Sequence, residues 1–207
     1  NQLWGLSFRP ISVPTYNKEC FVYEVLDRND APLGVLNLDP YMRKEKRGGA
    51  WCGLFRNGLY ATDSTRVFPI VTVVCNFTPP SGSQSPLLTL DETKTLFHEF
   101  GHALHKLFSK TKYNGTSHAE WDFVELPSQI MENWATEPEV LRFYARNYQT
   151  GDPIPDHLIR KIHASTLSNQ GFATTELVAA ALLDMDLHSI TEYKTIDLDA
   201  FEQQALY

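Results

Sequence analysis

The apolar pattern changes period once along this chain, and that change limits the fold more than any other feature. Residues 68–77 form a β-branched run that includes Ile70, Val71, Val73 and Val74. Residues 92–109 instead place Leu96, Phe100, Ala103, Leu104 and Leu107 at three- and four-residue spacing, the stripe of an amphipathic helix. Between them, residues 78–86 hold three prolines and a glycine among serines, which breaks both patterns. Strands before and helices after predict an α+β class. We expect a small antiparallel-rich sheet within a β-rich lobe over residues 1–80 and a helical part over residues 91–207.

Residues 21–26 and 34–38 predict two strands, and the turn formers at 27–32 join them as a hairpin. Pro69 predicts that the strand over 68–77 begins near it or lies at a sheet edge. These strands are too few to bury a core alone, so the breaker cluster is read as a surface loop rather than a domain boundary. Asp91 is the expected N-cap of the first helix. A second helix is expected over 124–136, with Pro127 tolerated in its first turn. A third is expected from Pro138 to Gly151, and two more over 155–168 and 175–192.

The 207 residues suffice for a core without disulfide staples. No apolar run approaches ~18 residues, so no membrane span is expected. A net charge of −7 argues against nucleic acid as the main partner. The basic run Arg43-Lys44-Glu45-Lys46-Arg47 is expected to be a solvated loop. Cys20, Cys52 and Cys75 form no Cys-x-x-Cys, which suggests neither a disulfide framework nor a cysteine metal knuckle. Cytoplasm is the expected compartment and periplasm the alternative. Without an initiator Met or a signal segment, the chain is expected to be a piece of a longer polypeptide.

Inside the best helix stands His98-Glu99-Phe100-Gly101-His102, an H-E-x-x-H pattern. Residues four apart share a helix face, so the two imidazoles can bind one zinc ion. Glu99 follows the first ligand and can reach a zinc-bound water as general base for attack on a peptide carbonyl. Seven His and 13 Glu would produce the pattern by chance in about 1–2% of shuffled chains of this length. The motif alone is therefore suggestive, and the competing reading is a charged stretch of solvated helix. Its seat on an amphipathic helix strengthens the metal reading.

A hydrolytic zinc needs a third protein ligand and one open position. His105 lies on the same helix, but three successive ligands there spread along the axis and converge poorly. His118 sits in a glycine-containing loop. Glu120, Asp122, Glu125 and Glu132 form an acidic cluster further on. Spacing does not choose among them. Asp122 is a further candidate for orienting a zinc histidine from behind.

The segments Phe97 to His105, Asp122-Phe123-Val124-Glu125-Leu126-Pro127-Ser128-Gln129 with Glu132-Asn133-Trp134, and Lys46-Arg47-Gly48-Gly49-Ala50-Trp51 with Asn76-Phe77-Thr78 resemble the thimet oligopeptidase and peptidyl-dipeptidase family of zinc metallopeptidases. The resemblance spans nearly the whole chain and is closest to bacterial peptidyl-dipeptidases. It implies a zincin-like catalytic core and one zinc ion held by His98, His102 and Glu125. It also implies Glu99 as base and His105 as a non-ligand. Short peptides are the implied substrates, shortened by release of C-terminal dipeptides. An oligopeptidase cutting internal bonds and a non-catalytic zinc-binding domain are the alternatives. The strand ending near Asn76 is implied to border the substrate cleft. Two departures stand out: the loop near Asn114-Gly115-Thr116 is about two residues short, and oxyanion donors are expected beyond Tyr207. Such a piece is expected to expose apolar surface.

Overall fold

In the computed structural model, which describes residues 3–82, 86–113, 115–192 and 195–206, strands come first and helices after. The strands are β1 (Ser7–Pro10), β2 (Phe21–Leu26), β3 (Pro32–Tyr41), β4 (Trp51–Arg56), β5 (Leu59–Tyr60), β6 (Arg66–Val67) and β7 (Ile70–Phe77). Five of them form one sheet in the order β1-β2-β3-β7-β4, and β5 and β6 pair separately. The expected β2–β3 hairpin forms because Asp27 organises the turn, its Oδ1 accepting from the amides of Asn29 and Ala31 at 2.8 and 3.0 Å. Only the β3–β7 ladder is parallel; the other three ladders of the sheet are antiparallel.

Pro69 stands at the start of β7, where its carbonyl accepts from Val35 N at 3.0 Å. Strand β7 is not an edge. It lies between β3 and β4, so an extended peptide cannot add beside it as an extra strand. The residues 50–56 carry a weaker β pattern, yet they supply the outermost strand, β4.

Alternation along β7 sends Val71, Val73, Cys75 and Phe77 to one face, where they pack with Leu36, Leu104 and Leu107 in the core. A Cβ at Gly34 would lie 2.8 Å from the main-chain oxygen of Pro69 and 2.7 Å from Leu107 Cδ2, so a side chain there would press on the neighbouring strand. The opposite face carries a buried charge cluster. Asp39, 1% exposed, accepts two bonds from Arg43 (2.7 and 2.8 Å), one from Tyr16 (2.9 Å) and one from Lys46 (3.2 Å). Lys46 also donates to the main-chain oxygens of Asp39, Tyr41 and Cys75. The basic run, expected from sequence to be a solvated loop, is one only in part: Lys44, Glu45 and Arg47 are exposed, but Arg43 and Lys46 are not. These two fold back to neutralise a carboxylate that the strand register buries. Burial, with Asp39 beside it, pushes the Tyr16 hydroxyl up to about 12, which keeps it a donor.

The first helix, α1 (Leu90–Phe108), is capped by Thr89 rather than Asp91. Thr89 Oγ accepts from Glu92 N at 3.1 Å and Thr89 N donates to Glu92 Oε2 at 2.8 Å, a complete capping box. Asp91 sits in the first turn, favourable to the helix dipole. Next come α2 (Leu126–Thr136) and α3 (Pro138–Tyr144). The third helix stops well short of Gly151 because Asn147 opens a turn, its Oδ1 accepting from the amides of Gln149 and Thr150.

The chain divides into two compact units, 1–153 and 154–207. The first holds the sheet and α1 to α3 around one core, so the segment at 78–82 is a loop within it; residues 83–85 lie outside the described residues. The second holds α4 (Asp156–Ser165), α5 (Gln170–His188) and α6 (Leu198–Leu206). Helix α5 begins five residues before the expected start and ends before Glu192, and α6 had no counterpart in the sequence reading. No described helix is long and apolar enough to cross a membrane.

Candidate metal centre

Helix α1 places His98 and His102 one turn apart, with ring centroids 5.0 Å apart and planes at 83°. Glu125 is the residue just before α2. Its Oε2 lies 3.1 Å from His98 Nε2 and 3.2 Å from His102 Nε2. Donor atoms of all three residues lie within 4.8 Å of one another, the one such group among the described residues. Ligands at ~2.0–2.1 Å from a tetrahedral ion stand ~3.3 Å apart, close to the separations found. Two nitrogens and one carboxylate oxygen suit zinc and leave room for a fourth group.

Close approach of α1 and α2 makes this convergence possible. A Cβ on Gly101 would lie 2.5 Å from Pro127 O and 2.6 Å from Ser128 Cα. These are main-chain atoms and cannot step aside. Only glycine between the two histidines lets α2 come near enough for Glu125 to reach them. Ser128, fully buried, donates to Glu125 O at 2.8 Å or Oε2 at 2.7 Å. That hydrogen bond, outweighing slight burial, holds the Glu125 carboxyl below its ordinary range, so it stays an anion.

Each His98 nitrogen meets a carboxylate, Glu125 at Nε2 and Glu132 at Nδ1, the latter at 2.6 Å. A neutral imidazole has one proton and satisfies one of them. A cation between Nε2 and Glu125 would satisfy the other. Glu99 is 6% exposed, and its Oε2 has no hydrogen-bond partner. Burial raises its carboxyl above the ordinary range. Burial lowers His102, leaving its ring neutral and its lone pair available.

The other expected residues stand apart. His105 is half-buried with its ring 6.5 Å from Phe123, and it is not in the donor group. His118, Glu120 and Asp122 are exposed. Asn114, in the short loop, lies outside the described residues. The carboxylate behind a histidine is that of Glu132, not Asp122, because α2 turns Glu132 toward α1 while Asp122 precedes the helix. Gly101 and Ser128 were missed from sequence. A signal existed: Glu125, Ser128 and Glu132 are spaced i, i+3, i+7, one face of a helix.

A family model described as Peptidase family M3 matches residues 1–205. Dipeptidyl carboxypeptidase of Escherichia coli (strain K12) is 41% identical over 211 residues, covering 100% of this chain and 30% of that protein. Oligopeptidase A of Salmonella typhimurium (strain LT2) is 38% identical over 192 residues, covering 91% of this chain and 28% of that protein. The chloroplastic and mitochondrial organellar oligopeptidase A of Arabidopsis thaliana is 36% identical over 196 residues, 90% of this chain and 25% of that protein. The chain spans at most about a third of the length of these relatives.

Proposed function

The chain belongs to peptidase family M3, and from that premise we propose that it forms the zinc-binding part of a zincin-like core that hydrolyses short peptides. The release of C-terminal dipeptides is the preferred reaction, supported by the 41% identity to a dipeptidyl carboxypeptidase. The observation that carries the reading is the convergence of His98, His102 and Glu125 next to a buried, unpaired carboxylate. These three residues would hold one zinc ion. Bound there, zinc supplies Lewis acidity, which polarises a carbonyl and makes water acidic.

Glu99 takes and holds the proton from the attacking water. Its buried setting favours the protonated form, which suits a base that later returns the proton to the leaving amine. His98 and His102 contribute Nε2, the nitrogen each turns toward Glu125. Strands β1 and β4 are the two edges of the sheet, and β4 is the one that α1 packs against. An extended peptide pairs with that edge through main-chain hydrogen bonds, which binds peptides with little regard to sequence. Three unpaired cysteines support the cytoplasm as compartment.

Mass spectrometry of N-acetylated peptides incubated with the chain and zinc tests this. The expected product series is stepwise loss of C-terminal dipeptides. Glu99→Gln should lower the rate by ~10²–10⁴-fold while zinc stays bound. Internal cuts that depend on Glu99 would move the reading to an oligopeptidase, the activity named in the 38% identical relative. Hydrolysis untouched in Glu99→Gln would remove Glu99 from the mechanism.

A further inference from the structure

We propose that Glu132 is a positioning residue of the metal centre: its carboxylate fixes the His98 ring so that Nε2 presents its lone pair to the ion. This rests on the zinc reading above and assigns a role to a residue outside the ligand set.

Glu132 Oε1 lies 2.6 Å from His98 Nδ1. With this carboxylate as acceptor, the contact pairs with the ring tautomer that carries its proton on Nδ1. Nε2 is then the unprotonated nitrogen, and it is the one 3.1 Å from Glu125. The contact is within hydrogen-bonding distance, and a carboxylate acceptor makes such a bond stronger than a neutral one. The contact therefore selects both tautomer and ring orientation, which removes the freedom that a metal would otherwise have to freeze on binding.

Helix geometry explains why Glu132 can do this. Seven residues separate it from Glu125, which is two turns and ~10 Å of rise on one face of α2. The same face thus holds a ligand at the end of the helix and an orienting acid two turns on. His102 has no such carboxylate at its Nδ1 among the described residues, so the two histidines are held differently. His98 meets a carboxylate at both ring nitrogens, and His102 meets one at Nε2. An ion pair that merely ties α2 to α1 would not need the Nε2 direction seen here.

Two measurements on the 207-residue chain decide the matter. Histidine nitrogen NMR of the zinc-loaded parent should show His98 protonated at Nδ1 and bound through Nε2. Zinc affinity, measured by competition with a chromophoric chelator, should fall ~10–100-fold in Glu132→Gln. Glu139→Gln, which removes an exposed acid from the first turn of α3, should stay within about twofold. Tryptophan fluorescence reports whether each variant keeps the fold. Metal bound through His98 Nδ1 overturns the proposal, and that outcome needs no variant. So does a folded Glu132→Gln that binds zinc like the parent. A parent chain that binds no zinc overturns the metal reading itself, whereas parent binding with an unaffected Glu132→Gln overturns the role of Glu132 alone.

Discussion

Helices α1 and α5 are both 19 residues long, and they behave oppositely. In α1, Gly101, Ala103, Leu104 and Leu107 are buried on one side, and Glu99 is buried with them. In α5 no residue is buried, although it is the more apolar of the two. Its Phe172, Leu177, Val178, Leu182 and Met185 are all exposed. At 100° per residue these five positions spread around most of the helix circumference. A helix with a segregated stripe needs one neighbour, whereas a helix that is apolar all round needs several. Most helix stability in a protein comes from such packing rather than from intrinsic propensity. The unit at 1–153 supplies its main helix with a sheet on one side and α2 on another. The apolar surface of α5 fits the expectation of exposed apolar area, and its five exposed side chains await cover.

Paired substitutions in the two units sharpen this contrast, and tryptophan fluorescence reads one unit selectively, because all four tryptophans lie before residue 153. The largest effect is expected at the buried charges. Asp39→Asn leaves Lys46, whose side chain is 4% exposed, without its anion, and should cost ~3–5 kcal/mol. The exposed Asp184–His188 pair of α5 is the counterpart, and Asp184→Asn should change stability by less than ~0.5 kcal/mol. The pH dependence has a definite sign. Burial alone would raise the Asp39 carboxyl, but the bonds from Arg43, Tyr16 and Lys46 outweigh it and hold the group below 3.8. Its contribution is thus present above the ordinary aspartate value and fades only as pH falls through the lower, folded value. Denaturation curves at several pH values should show parent and Asp39→Asn far apart at neutral pH and converging below pH 3.8.

Next comes the core. Leu107→Ala should cost ~2–5 kcal/mol in urea denaturation followed by fluorescence. Leu177→Ala, at a position 71% exposed, should change the unfolding free energy of its own unit, followed by the circular dichroism of its helices, by less than ~0.5 kcal/mol. A comparable loss at Leu177 would mean that α5 is covered in solution. The smallest pair is the glycines. Gly101→Ala forces α1 and α2 apart and should cost ~1–3 kcal/mol, with a measurable loss of zinc affinity. A Cβ at Gly171 meets nothing within 4 Å, so Gly171→Ala should add up to ~0.5–1 kcal/mol to α5, read as slower amide exchange.

Local chemistry was legible wherever neighbours in sequence decide the outcome. The β2–β3 hairpin follows from Asp27, and α1 from its apolar stripe, although the cap moved to Thr89 because a reciprocal pair with Glu92 satisfies more end groups than Asp91 alone. The two histidines of the centre follow from their spacing, since one helical turn fixes their relation. The third helix was overextended because Asn147 competes locally for the main chain. Arg43 and Lys46 depart from the solvated loop expected over 43–47 because their partner, Asp39, is set by strand register rather than by any pattern within those residues.

The sequence by itself therefore determined the order of strands and helices, the pairing of His98 with His102, and the acid Glu99 beside them, because each depends on the period of one element. Spacing left the third acid open and the family resemblance implied Glu125, whereas tertiary structure alone decided that Glu132 rather than Asp122 faces His98. Bringing Glu125 to Nε2 and Glu132 to Nδ1 requires two helices to cross at Gly101, at a distance limited by main-chain atoms of α2. That distance is a property of packed backbones, and no spacing within either helix encodes it.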